Sequence, residues 1–241
     1  MSLALVTGAA SGIGRATARK LADAGHALLL CDRDAAGLAV VAAETGGTAL
    51  PLDLLDLGAV RAVAGEVARQ HGRLDALVCC AGISGHGMPF AQVDEAAWDA
   101  MLGTHAKGHF FLIQALLPVL GAGAAVVIVS SLFALRGSPN MPHYTVAKGA
   151  LIGMARALAV ELGPAGIRVN AVAPGLIRTP MTEHSAAGDA GFFTRREAAI
   201  PLRRLATPED VADSIAYLAS PAAGSLTGQV LSPSGGEAFT G

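Results

Sequence analysis

Leu3-Ala4-Leu5-Val6-Thr7-Gly8-Ala9-Ala10-Ser11-Gly12-Ile13-Gly14 opens the chain, and Asp32 closes the unit it begins. Leu3 to Thr7 is a short apolar run, the pattern of a strand buried on both faces. Gly8 to Gly14 is a glycine-rich turn, where the backbone can bend sharply and approach a ligand. A helix is expected from Arg15 to Ala24, stopped by Gly25. Ala27 to Cys31 reads as a second strand, ending at Asp32. Strand, glycine-rich turn, helix, strand and acid make a dinucleotide-binding unit. The helix N-terminus offers free N–H groups and a positive dipole end to a pyrophosphate. Gly8, Ser11, Gly12, Ile13 and Gly14 are the candidates for that contact. Asp32 lies 18 residues after Gly14, where a carboxylate can hydrogen-bond the adenosine ribose. Its charge repels a 2′-phosphate, so NAD is expected, and the neighbouring Arg33 keeps NADP possible.

The alternation continues outward. Asp34 to Glu44 reads as a helix and Thr48 to Leu52 as a strand, followed by Asp53-Leu54. Leu57 to His71 is helical with Gly72 as its stop. Asp75 to Cys80 is a strand running into Ala81-Gly82. One long helix is expected from Asp94 to Leu120, then a strand from Ala124 to Ser130. A helix carrying Tyr144 and Lys148 runs to Gly163. Ile167 to Ala173 is the sixth strand, closed by Pro174-Gly175. Thr207 caps a helix over Pro208 to Ser220, with Pro at its first position and acids in its first turn. Gly228 to Leu231 is a short seventh strand. Strands and helices in this order predict an α/β fold: a single doubly wound, Rossmann-type domain over residues 1–241, with helices on both faces of a seven-stranded parallel sheet. Ligands in such sheets bind beyond the carboxyl ends of the strands. The glycine-rich turn, Asp32, Asp53, Ala81-Gly82, Ser131 and Pro174-Gly175 all fall there.

Composition excludes other classes. The 241 residues are 52% hydrophobic and 15% charged, with a net charge of −2. No basic cluster exceeds a pair such as Arg195-Arg196, so no nucleic-acid partner is expected. The three cysteines, Cys31, Cys79 and Cys80, form no C-x-x-C and read as small core residues. The apolar stretch Phe110 to Val129 is broken by Gln114, Pro118, Gly121 and Gly123, and no leader pattern is visible. A cytoplasmic protein with no membrane contact is expected.

Tyr144 and Lys148 lie four apart, on one helix face. A free tyrosine ionises near pH ~10, and an ammonium beside it lowers that value. Ser131 could polarise a substrate oxygen next to the phenol. By itself the spacing also fits a surface pair.

With these residues together, the chain resembles the classical short-chain dehydrogenases/reductases from Val6 to Gly236. The resemblance rests on Thr7-Gly8-x-x-x-Gly12-x-Gly14, on Ser131 before Tyr144-x-x-x-Lys148, and on Asn170-Ala171-Val172-Ala173-Pro174-Gly175 followed by Thr179. Leu226-Thr227-Gly228-Gln229-Val230 resembles the family's last strand. The resemblance implies an oxidoreductase interconverting a secondary alcohol and a ketone by hydride transfer, with NAD(H) favoured. It implies that Tyr144 is the general acid or base. Lys148 would lower the Tyr144 pKa and hold the nicotinamide ribose. Ser131 would bind the substrate oxygen, with Ser130 pointing to the opposite face. Asp53 and Leu54 would flank the adenine. Cys80, Ala81 and Gly82 would run along the cofactor, and Pro174, Gly175, Ile177 and Thr179 would fix the nicotinamide amide. A homotetramer is also implied.

Two positions depart from the family. Cys79-Cys80-Ala81-Gly82 stands where Asn-Asn-Ala-Gly is usual. His105, seven residues after Trp98, stands where a catalytic Asn holds a proton-relay water. Three readings of His105 are open: relay through its imidazole, relay through its own backbone carbonyl, or a weakened nucleotide-binding sensor. His105 and His109 have metal-pair spacing but no third ligand, so no metal is expected. Ser84, Leu132, Phe133, Met141, Met181, Phe192 and Phe193 are candidates for an apolar substrate pocket, under a lid at 181–205. Arg136, Arg178 or Arg195 could serve as an anion clamp. The main alternative is an NADPH-dependent ketoreductase of the 3-oxoacyl thioester type.

Overall fold

The computed structural model describes residues 2–85, 87–179, 182–183 and 189–240. Its strands are β1 (Leu3–Thr7), β2 (Ala27–Asp32), β3 (Thr48–Pro51), β4 (Leu74–Cys79), β5 (Leu120–Val129), β6 (Arg168–Val172) and β7 (Val230–Leu231). They form one parallel sheet in the order β3-β2-β1-β4-β5-β6-β7. Val6 of β1 pairs with Leu30 on one side and with Val78 on the other. The chain therefore winds one way from β1 to β3 and the other way from β4 to β7. The crevice opens where those directions part, beyond the ends of β1 and β4.

Strand side chains alternate between two cores, as a period of two requires. Leu3, Leu5, Leu29 and Cys31 face helices α3 (Leu57–His71), α5 (His109–Leu116) and α7 (Pro142–Leu162), through Val60, Leu112, Leu116 and Leu151. Ala4, Val6, Leu28 and Leu30 face α1 (Gly12–Asp23), α2 (Ala35–Thr45) and a late helix, α9 (Pro208–Ala219), through Leu21, Leu38, Val41, Val211 and Ile215. Both sheet faces are thus covered, as the apolar strand runs predict.

The helix starts follow from short polar side chains. Asp34 accepts from the Gly37 N–H, Asp56 from those of Gly58 and Ala59, and Thr207 with Asp210 closes a capping box on α9. Among the described residues, no helix is long and apolar enough to cross a membrane.

The expected helix from Asp94 to Leu120 is not continuous. It divides into α4 (Glu95–Leu102), a π-helical turn (Gly103–Gly108), α5, and a short 3-10 turn at Leu117–Val119. Gly103 and Gly108 allow the wider turn, because each packs against Leu54 or Leu55 with no room for a β-carbon. Beyond Pro118 the chain enters β5 at once, so that strand starts four residues earlier than expected. Two further helices carry loop residues toward the crevice: α6 (Phe133–Arg136) and α8 (Phe192–Ala199).

Candidate active site

A cleft of about 930 Å³ runs across the carboxyl ends of the strands. All the expected dinucleotide contacts line it: Gly8, Ser11, Gly12, Ile13, Gly14, Asp32, Asp53, Leu54, Cys80, Ala81, Gly82, Pro174, Gly175, Ile177 and Thr179. Ser131, Tyr144, Lys148 and His105 line its middle, and Ser84, Leu132, Phe133, Met141 and Phe192 its outer part.

The glycine-rich turn is built for a close approach. Gly8 has φ +69, and a β-carbon there would lie 2.8 Å from Ala81 Cα. Only glycine lets the end of β1 touch the end of β4. Ser11 starts α1 without a side-chain cap, and the first turn holds no acid. The N–H groups of that turn are left for an anion at the cleft wall, which is the fit a pyrophosphate needs. Asp32 accepts from the Ala10 N–H and the Asp34 N–H, both at 3.0 Å, so its carboxylate also ties the glycine-rich turn to β2.

Cys80 is not a core residue. Cys31 and Cys79 are buried, but Cys80 is half-buried and lines the cleft. The run it begins is held by the backbone: Thr7 Oγ1 accepts from the N–H groups of Cys80 at 3.0 Å and Ala81 at 3.1 Å.

Ser131 follows β5, and Tyr144 sits in the first turn of α7. The Ser131 hydroxyl accepts from the Phe133 N–H at 3.2 Å, and Ser131 and Tyr144 line the same stretch of the cleft. The Tyr144 ring lies edge-on between His105, with centroids 5.7 Å apart, and Phe133, at 6.5 Å. Lys148 is 4% exposed, and its Nζ donates to the Val129 carbonyl at 3.0 Å. Ser130 points away from the substrate side and donates to the Lys148 carbonyl at 2.7 Å. Burial pushes the Tyr144 hydroxyl up to about 12, with the nearby Ser131 hydroxyl pulling the other way. Burial also brings Lys148 down to about 8. Desolvation thus acts on Tyr144 against the lowering expected from the lysine.

His105 lies in the π-helical turn and is 1% exposed. Its Nε2 is 3.0 Å from the Ile83 carbonyl oxygen and 3.2 Å from the Ile83 N–H, while Nδ1 is buried without a partner. Burial, and then the Lys148 charge, hold its pKa well below the ordinary histidine value. His109 was not expected in the site. Its Nδ1 donates to the His105 carbonyl at 2.8 Å, which leaves Nε2 as an acceptor 3.3 Å from the Thr7 hydroxyl, whose one proton also lies within reach of the Val78 carbonyl at 3.3 Å. One chain of hydrogen bonds thus joins the π-helical turn, β1 and the end of β4. Its only sequence signal was the four-residue spacing from His105. Among the described residues, no group of three or more His, Cys, Asp or Glu could hold a metal ion.

Phe193 does not line the cleft. Its ring lies under the Arg178 guanidinium at 4.3 Å and packs beside Leu176, Ile200 and Leu205. Phe192 packs against the same cluster but also reaches the cleft lining, about 100° round the helix from Phe193. Met181 falls outside the described residues. Arg196 lines the cleft and was missed, while Arg195 pairs with Asp189 instead.

The family model described as Enoyl-(Acyl carrier protein) reductase matches residues 8–237. The chain is 38% identical to cis-4-hydroxycyclohexanecarboxylate dehydrogenase of Sinomonas cyclohexanicum, over 97% of this chain and 95% of that one. A short-chain dehydrogenase/reductase of Brucella melitensis, titled glucose/ribitol dehydrogenase, superposes with a TM-score of 0.93 at 35% identity, covering 99% and 97% of the two chains. The 3-ketoacyl-(acyl-carrier-protein) reductase of the same organism, complexed with NADH, superposes with a TM-score of 0.92 at 31% identity, covering 99% and 98%.

Proposed function

Because the chain belongs to the short-chain dehydrogenase/reductase family, we propose that it interconverts a secondary alcohol and a ketone with a nicotinamide dinucleotide, NAD(H) preferred. The observation that carries this reading is the meeting of Ser131, Tyr144 and Lys148 in one cleft with the uncapped start of α1. The dinucleotide, when bound, supplies the hydride acceptor or donor. Ser131 holds the substrate oxygen and Tyr144 exchanges its proton. With its pKa near about 12, Tyr144 is a neutral phenol at neutral pH, the form that protonates a ketone oxygen during reduction. Oxidation needs the phenolate, which the positive charge of Lys148 favours. Asp32 supports NAD over NADP by charge repulsion at the adenosine ribose, with Arg33 also on the cleft wall.

The test is a titration of NAD(H) against NADP(H), followed by nicotinamide absorbance over a panel of secondary alcohols and ketones. Tyr144→Phe should lower turnover by roughly 10²- to 10⁴-fold while dinucleotide binding persists. Near-normal turnover in that variant would sink the assignment.

For a second reading, an NADPH-dependent 3-oxoacyl thioester ketoreductase, the name of the Brucella relative favours the substrate class, while its NADH complex gives no support to NADPH. The Sinomonas relative's name, a cyclic secondary alcohol carrying a carboxylate, favours the first. Acetoacetyl thioesters in the panel separate the two.

For His105 we favour the imidazole relay over the backbone one and over a sensor. Its Nδ1 is buried and unpaired near Lys148, while its carbonyl is already taken by His109. His105→Asn should keep activity and move the pH profile; an unchanged profile argues for the other readings. A single-domain homotetramer is also part of the proposal. Trp98 and Phe110 are exposed on the α4–α5 face, beside an apolar groove of about 600 Å³ with Leu55, Phe111 and Met154. Light scattering that gives a monomer mass rejects the tetramer.

A further inference from the structure

The cleft is charged differently at its two ends. Its lining carboxylates, Asp32, Asp34 and Asp53, lie at or just beyond the ends of β2 and β3, outnumbering Arg33 there. At the other end, past Tyr144, the charged lining groups among the described residues are Arg136 and Arg196. Arg136 ends α6 and Arg196 lies on α8, so two separate elements bring them together.

Both arginines donate to the same oxygen, Oε1 of Glu237, each at 2.8 Å. The Glu237 side chain is only 8% exposed, against 38% and 32% for Arg136 and Arg196. The carboxylate sits behind and the guanidiniums face the cleft. Two positive charges meet one negative charge, so one is left uncompensated. Arg196 Nε and Glu237 Oε2 are each buried with no hydrogen-bond partner, so the cluster is not closed on itself. A desolvated donor beside an unmatched charge is costly until an anionic acceptor arrives.

We propose that Arg136 and Arg196 bind a carboxylate of the substrate, so that the alcohol or ketone handled here is a hydroxy acid or keto acid. The excess charge matches a monoanion, and the guanidinium fork matches the two oxygens of a carboxylate. The reach is short. The Arg136 guanidinium lies 5.6 Å from the Phe133 ring, and that ring lies 6.5 Å from Tyr144. One aromatic ring therefore separates the anion subsite from the proton-transfer group, room for a compact carbon skeleton packed on Phe133. A carboxylate anchored there also fixes which face of the carbonyl meets the nicotinamide side of the cleft.

The inference rests on the dehydrogenase reading, and the experiment keeps the two apart. The probes are 4-hydroxycyclohexanecarboxylate and 3-hydroxybutyrate, each beside its methyl ester, measured by turnover and by calorimetric binding to the dinucleotide-loaded protein. The acids should be preferred over the esters by about tenfold or more in kcat/KM. Arg136→Gln and Arg196→Gln should remove that preference, raising KM for the acids by about tenfold more than for the esters. Glu237→Gln frees both guanidiniums, and should lower KM for the acids without changing the esters. Equal losses for acid and ester in all three variants would mean a structural latch on α8, and would overturn the anion site. Esters outperforming acids in the unaltered protein would overturn it too, as would calorimetry showing no binding of either acid. Arg196-dependent acid binding without any turnover would support the anion site and reject the redox reading.

Discussion

A β-carbon added to Gly82 would lie 2.3 Å from Cε1 of His105. The imidazole fills the space that any side chain at position 82 would need. Gly82 is therefore required by packing against an unusual residue, and the two positions are coupled. Gly82→Ala should destabilise the protein by about 1–3 kcal/mol through overpacking. In a His105→Ala background the same change should cost clearly less, as a double-mutant cycle by denaturant unfolding would show. Additive effects would contradict the contact.

Thr7→Val keeps the shape of the side chain and removes one hydroxyl. The Cys80 and Ala81 N–H groups lose their acceptor, and His109 Nε2 loses its neighbouring hydroxyl. Each orphaned buried group costs about 1–3 kcal/mol. A lower melting temperature and weaker dinucleotide binding are expected together, because the same run borders the cleft. Unchanged affinity would mean that the run is held by other contacts.

Acid should destabilise this protein through its buried histidines. Burial brings His109 down to about 4, and holds His105 well below its ordinary value. Unfolding returns both to about 6.5. Between pH 6.5 and 4 the unfolded chain binds more protons than the folded one, so stability falls as pH falls. The slope is about 1.4 kcal/mol per pH unit for each histidine that stays neutral when folded. His109→Gln should remove about one proton from that slope in urea titrations at several pH values. A slope identical to the unaltered protein would show that His109 is charged in the fold or titrates alike in both states.

Asp32→Asn removes the charge and keeps one acceptor for the Ala10 or Asp34 N–H. The preference for NADH over NADPH should fall by about tenfold or more, with Arg33 free to pair with the 2′-phosphate. Competitive binding of the two reduced dinucleotides measures it. A preference that stays put would locate selectivity elsewhere.

The doubly wound sheet and its cofactor end were legible in the residues because both rest on local pattern. Apolar runs of strand length, glycine where φ must be positive, and short polar caps at helix starts act over a few neighbours. Ser131, Tyr144 and Lys148 were ambiguous by spacing alone and became legible only beside the glycine-rich turn and the Pro174-Gly175 turn, through the family resemblance. What the sequence could not determine depends on distant chain segments. The break at Gly103–Gly108 arises from packing on Leu54 and Leu55, some 50 residues upstream. The rise in the Tyr144 pKa comes from desolvation, which no spacing encodes. His109 joins the site through Thr7, and Arg196 through Glu237, pairs separated by 102 and 41 residues. Thus the sequence by itself determined the fold, the glycine-rich turn and which residues to seek at the strand ends. Tertiary structure alone decided the protonation balance, the histidine network and the charge at the substrate end, because burial and long-range contact set those energies.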